Sequence, residues 1–142
     1  MIKLRSVLLG GQKSYKNKFI NRKRPHIMGN GGNIPGEVKI FMNHLYEFKK
    51  GVRNMVLYTV KREHEGFMTQ RLENQDISYI IQEVGETKIN LFFGKPECLE
   101  AIRHMILRPL NQLTPEEDFI LGAMLGYDIC QQCKRYCGKR RA

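Results

Sequence analysis

Three short strand-like segments constrain the fold of this chain more than any other feature. The segment "NMVLYTV" (54–60) is rich in β-branched and aromatic residues and apolar on both faces, which predicts a well-covered strand. "ISYIIQEV" (77–84) and "KINLFF" (88–93) are two further strands, joined by "GET" in a hairpin-like turn. A three-stranded sheet of this kind has two apolar faces and two edges that need cover.

Outside these three strands, the other segments with a regular apolar pattern have the periodicity of a helix. "EVKIFMNHLYEFKK" predicts an amphipathic helix, and "REHEGFMTQRLENQD" predicts a charged one. Pro96 stands at the start of another helix, while Thr114 and Glu117 have the spacing of a capping box before the next. A last helix is predicted to start near Asp128.

The order of these elements predicts an α+β fold. Its centre has the order β-α-β-β-α, which is half of a ferredoxin-like unit. The whole chain is predicted to form a three-stranded sheet flanked by about five helices. Helices from both ends of the chain can cover one face of such a sheet. A second copy can cover the other face or an edge, so we expect a homodimer.

Charge divides the chain into three parts. Residues 1–36 hold eight basic side chains and residues 129–142 hold five, with no acidic residue in either stretch. The middle keeps eleven basic residues against all fourteen acidic ones. We therefore predict a basic, disordered arm and linker at 1–36, one α+β domain at 37–138, and a basic tail at 139–142.

Composition and hydropathy exclude several classes of protein. No apolar run approaches the roughly 18 residues of a membrane helix, and "SVLLGG" is too short for a secretory signal. Four cysteines, three of them clustered, do not resemble a secreted disulfide framework. We expect a cytoplasmic protein that does not enter a membrane.

From Lys39 to Tyr136 the sequence resembles a bacterial family defined only as domain of unknown function twenty twenty-three. The segments that carry this resemblance are "NHLYEFKKGVRNMVLYTV", "INLFFGKPECLEAIR" and "LTPEEDFILGAMLGYD". The resemblance implies about three strands, five helices and a homodimer, and it supplies no activity and no catalytic residue. The resemblance also suggests that such proteins are encoded beside flavodoxins, which is a hint about partners. Because flavodoxins are typically acidic proteins, a basic chain of this kind suits one as a partner.

The cysteine cluster "CQQCKRYC" allows three interpretations. At 100° per residue, Cys133 and Cys137 lie about 300° and 340° around a helix from Cys130, in one apolar stripe with Ile129 and Tyr136. This pattern favours a core-facing helix with buried free thiols. The second interpretation is a redox role for the three cysteines, because the neighbouring lysines and arginines stabilise thiolates that are exposed.

A metal site is the third interpretation, and the spacing disfavours it. Cys130 and Cys137 are about 10 Å apart along a straight helix, too far for one zinc ion. Cys130 and Cys133 can serve as ligands only if Cys98 and His104 join them from another helix. We therefore expect no metal and no other cofactor.

No nucleophile in the sequence has a neighbouring base that would indicate catalysis, so the chain is not expected to be an enzyme. The leading hypothesis is a cytoplasmic, homodimeric binding or accessory module. The first alternative is a thiol redox or metal-site protein that serves a flavodoxin-type electron carrier. The second is a protein that binds nucleic acid non-specifically through its basic ends, since lysine and arginine neutralise phosphates without reading sequence.

Overall fold

The computed structural model describes residues 3–7 and 34–141, which form an antiparallel sheet between two layers of helix. The strands are β1 (Leu4–Val7), β2 (Met55–Lys61), β3 (Ser78–Val84) and β4 (Lys88–Gly94). The helices are α1 (Gly36–Lys49), α2 (Glu65–Asn74), α3 (Pro96–Ile102), α4 (Pro115–Met124) and α5 (Ile129–Arg141). Short 3-10 turns lie at Arg62–His64, Met105–Leu107 and Leu110–Gln112.

The strands lie in the order β1-β3-β4-β2, so the central hairpin β3–β4 is flanked on both sides. At the end of β4, Gly94 faces Met55 with φ of 153°. A Cβ on residue 94 would lie 2.7 Å from the Met55 Cα, closer than real side chains come. The absent side chain at Gly94 therefore lets the two strands stay paired to the end of β2.

The predicted α+β class and the central β-α-β-β-α order are confirmed, but the count of three strands is wrong. The fourth strand is β1, inside the stretch predicted to be a disordered arm. Four residues give too little alternation to be recognised, and the two middle ones, Arg5 and Ser6, are exposed. Residues 8–33, the rest of the predicted arm and linker, lie outside the described residues.

Each face of the sheet carries its own hydrophobic core. On the first face, α1 and α2 bury Phe41 and Met68 against strand residues such as Phe93. On the second face, α3, α4 and the turns before α4 pack around Phe92 and Leu99. The sequence predicts helical cover for one face, with a second copy on the other face or on an edge, whereas helices of the same chain cover both faces. Both faces are covered within the chain, and only the edges of β1 and β2 remain open among the described strands.

A row of polar side chains crosses the second face. The Thr59 hydroxyl donates to Asn90 Oδ1 (2.6 Å), and Asn90 Nδ2 donates to Gln82 Oε1 (2.8 Å). Gln82 Nε2 in turn donates to the carbonyls of Ile106 and Arg108. Because buried amides that lose their partners are costly, this row fixes the segment that leads from α3 into α4. None of the described helices is long and apolar enough to span a membrane.

Candidate binding surface on the C-terminal helical hairpin

Helix α4 begins where the sequence predicts it. The Thr114 hydroxyl accepts the Glu117 N–H, and the Glu117 carboxylate accepts the Thr114 N–H (3.0 Å), which completes the predicted capping box. Glu117 also pairs with Arg108. The Thr114 N–H and the Arg108 guanidinium lower the pKa of Glu117. The start of α4 is therefore fixed by its own cap and tied to the preceding segment.

Helix α5 is held on α4 by ion pairs. The Asp118 carboxylate lies 2.8 Å from Arg135 Nε and 3.2 Å from Lys139 Nζ. Arg140 and Glu116 form a third pair at 3.2 Å. The hydrogen bond from Arg135, with a smaller contribution from Lys139, lowers the pKa of Asp118. Asp118 is thus the main electrostatic contact between the two helices.

Few apolar contacts accompany these ion pairs. The rings of Phe119 and Tyr136 lie 5.6 Å apart. Gly122 lets the Gln132 side chain approach the backbone of α4, because a Cβ at residue 122 would overlap that side chain. Not one residue of α5 is buried. The helix therefore lies on the outside of the molecule and contributes no residue to either core.

The three clustered cysteines are consequently exposed. The prediction that α5 is a core-facing helix with buried thiols is therefore wrong within a single copy of the chain. Cys130, Cys133 and Cys137 are all free and exposed. The apolar stripe that the periodicity identified does exist, but α5 packs on α4 and not on the sheet. Cys98 is half-buried in α3 and packs against the second core, while His104 is exposed after α3.

The four candidate metal ligands do not form a site. Cys130 and Cys133 lie on α5, and Cys98 and His104 lie in and after α3. Within residues 3–7 and 34–141, no three histidine, cysteine, aspartate or glutamate side chains are grouped so as to hold a metal ion.

One side of α5 carries thiols and positive charge away from α4. Arg135 and Lys139 contact Asp118 and so mark the side of α5 that faces α4. At 100° per residue, the opposite side carries four residues, which we call the outward stripe. These are Cys130, Lys134, Cys137 and Arg141. Lys134 and Arg141 form no ion pair with any described residue.

An open apolar groove of about 390 Å³ lies beside the outward stripe, between α4 and α5. We call it the hairpin groove. It is lined by Glu116, Phe119, Ile120, Cys133, Tyr136 and Cys137. Cys137 therefore lies at the border between the groove and the outward stripe. Ile120 is 42% exposed in the groove. Sequence reasoning identified the thiols and Tyr136 but missed Phe119 and Ile120, because the cap predicts where α4 begins and does not show what its apolar side chains face.

A second open cleft, of about 420 Å³, lies where the hairpin meets strand β2. Leu57 of β2, Leu121 of α4 and Gln132 of α5 are among its lining residues, with Asp118 and Arg135 at the same place. Sequence reasoning missed this cleft, because nothing in the sequence indicates that α5 crosses α4 near the sheet edge. Asp118, in the acidic run "TPEED", anchors α5 there through Arg135 and Lys139.

Comparison with known proteins gives a family and no activity. The family model described as "Protein of unknown function (DUF2023)" matches residues 39–139, from α1 to near the end of α5. No curated protein matches the chain.

Proposed function

Since this chain belongs to the DUF2023 family of proteins of unknown function, no activity comes with that membership, and we propose that it is a homodimeric binding module for an acidic protein. Its partner binds the hairpin groove and the outward stripe of α5. We place the module in the cytoplasm, where free thiols such as its four cysteines persist.

The observation that carries this proposal is that α5 is an amphipathic helix with no buried residue. An apolar stripe on a helix normally packs against a core. Here the stripe faces the hairpin groove and the solvent, where Ile120 and Ile129 are 42% and 53% exposed. Exposed apolar side chains beside an apolar groove are typical of protein interaction sites.

Charge indicates the chemistry of the partner. Lys134 and Arg141 stand on the outward stripe without a carboxylate partner among the described residues. An acidic surface beside an apolar anchor complements both features of the site. Nucleic acid would meet the two cations as well, but it would gain nothing from the apolar side chains of Phe119 and Ile120 in the groove. The apolar lining therefore favours a protein.

The test uses a fluorescent amphipathic peptide of glutamate and leucine, with polyglutamate and a short DNA duplex as comparison ligands. We expect the amphipathic peptide to bind most tightly. Ile120→Asp should weaken that binding about tenfold, equivalent to about 1.4 kcal/mol, because it places a carboxylate in the apolar groove. The matched control is Ile40→Asp on α1, whose side chain is exposed to a similar degree.

Binding that Ile120→Asp and Ile40→Asp weaken equally would contradict a site in the hairpin groove. DNA binding that is tighter than peptide binding and insensitive to Ile120→Asp would support the nucleic-acid alternative instead.

For the homodimer, strand β2 offers the interface. Its seven residues contain no proline or glycine, and its one charge, Lys61, is the last residue, so the middle of the strand lacks the features that protect edge strands from pairing. Lys95 N–H donates to the Asn54 carbonyl, and Arg62 N–H donates to that of Thr87. Because backbone groups alternate along an antiparallel strand, the groups of Leu57 and Thr59 face away from β4.

Two copies of β2 can pair antiparallel around Tyr58. Leu57 of each copy then faces Thr59 of the other, and both exchange backbone hydrogen bonds across the two-fold axis. This pairing joins two four-stranded sheets into one of eight strands.

Light scattering at micromolar concentration tests the dimer, and we expect twice the monomer mass. Thr59→Pro removes an outward N–H and should release monomers. Thr59→Val removes only the hydroxyl that donates to Asn90 and should leave the dimer intact. Ser6→Pro is the matched control on the other edge strand, β1, and should leave the dimer intact. A wild-type monomer, or dissociation by both variants alike, would overturn the β2 interface.

A further inference from the structure

The three thiols of α5 are close enough in the sequence to react with one another. All three are exposed, and they follow one another at spacings of three and four residues along one helix. Thiol–disulfide exchange needs an accessible first thiol and a second thiol close enough to complete the reaction. The arrangement on α5 supplies both requirements within a single helical segment.

Helix geometry decides which thiols can pair. In a regular helix, Cα atoms three residues apart are about 5 Å apart, and those four residues apart are about 6 Å apart. Both separations fall within the range of about 4.4–6.8 Å found for disulfides. Cys130 and Cys137 are separated by two turns, about 10 Å, and are excluded. The possible pairs are therefore Cys130–Cys133 and Cys133–Cys137.

The position of Cys130 selects the first pair. Cys130 is the second residue of α5, next to the Asp128 cap, whose carboxylate accepts the Gln131 N–H at 2.8 Å. The first N–H groups of a helix, that of Cys130 included, have no intrahelical partner, so a shift of Cys130 toward Cys133 breaks no helical hydrogen bond of its own N–H. Cys133 and Cys137 lie farther along the helix, where hydrogen bonds on both sides hold the backbone. Bringing their Cβ atoms to the roughly 3.8 Å of a disulfide is harder there.

We propose that Cys130 and Cys133 form a reversible dithiol–disulfide couple that reacts with small disulfides such as oxidised glutathione. The thiolate of one cysteine attacks a sulfur of the small disulfide, which forms a mixed disulfide and releases one small thiol. The other cysteine then attacks the protein sulfur of the mixed disulfide and releases the second small thiol. The protein loses two electrons and two protons, and the small disulfide is reduced to two thiols.

The experiment incubates the reduced, full-length protein in buffers of increasing ratio of oxidised to reduced glutathione. Remaining thiols are blocked with a maleimide, and the products are read by mass spectrometry. We expect free thiols to fall from four to two in one reversible step. Trypsin cuts after Lys134, so a Cys130–Cys133 bond stays within one peptide, whereas a Cys133–Cys137 bond links two peptides.

Four cysteine variants complete the test. Cys98→Ala and Cys137→Ala should keep the two-thiol step at an unchanged glutathione ratio. Cys130→Ala and Cys133→Ala should give only glutathione adducts, although their circular dichroism spectra stay unchanged because both side chains are on the surface. Wild-type protein that accumulates only adducts, or a bond that maps to Cys133–Cys137, to Cys98 or between two chains, would overturn the proposal.

Discussion

Helices α1 and α5 have similar lengths, 14 and 13 residues, and both have an apolar stripe, but they occupy opposite environments. Helix α1 buries Val38, Phe41 and Leu45 against the first face of the sheet. Helix α5 buries nothing and rests on α4. Amphipathic periodicity therefore shows that a helix has a side to cover, and it does not show what covers that side.

The side chains within the two stripes account for part of this difference. The stripe of α1 contains large apolar residues, of which Phe41 is completely buried and meets Phe93 edge-on at 5.7 Å. The stripe of α5 contains three cysteines beside Ile129 and Tyr136, and the cysteine side chains are much smaller than that of Phe41. The first stripe is suited to holding a fold together, and the second leaves thiols open to partners and reagents.

The largest expected difference between the helices is in stability. Phe41→Ala should lower the free energy of unfolding by about 3–5 kcal/mol, because it leaves a cavity in a closed core. Tyr136→Ala on α5 should cost less than about 1 kcal/mol, as expected for a surface change. Urea denaturation at one fixed protein concentration measures both values, since a dimer makes stability depend on concentration. Equal costs for the two variants would show that α5 belongs to the core after all.

Local signals predicted most of the fold. The capping box at Thr114 and the strands of the β3–β4 hairpin depend on residues that are close together in the sequence. Strand β1 was missed because a four-residue strand obtains its stability from pairing with β3, about 75 residues away in the sequence. The exposure of Cys133 was missed for a related reason, since it depends on α5 packing on α4 instead of the sheet.

A smaller difference between α5 and α1 is expected in how low pH affects the stability of each helix. The lowered pKa of Asp118 means that its contacts with Arg135 and Lys139 stabilise the hairpin above its ordinary pKa of 3.8. That contribution is lost as the pH falls through the lower pKa of the folded state. Between pH 7 and pH 3, hydrogen-exchange protection of the α5 amides should therefore fall, while protection of α1 around Phe41 persists.

Asp118→Asn supplies the control for this acid effect. The variant should reproduce part of the loss of α5 protection at neutral pH, at a cost of about 0.5–1 kcal/mol, because the partner side chains of Arg135 and Lys139 are 56% and 37% exposed. Its protection of α5 should then change less with pH than that of the wild type. If the variant kept the full pH dependence, the ion pairs at Asp118 would not be what holds α5. The Phe119–Tyr136 contact and the approach of Gln132 to Gly122 would then be the interactions that hold α5 on α4.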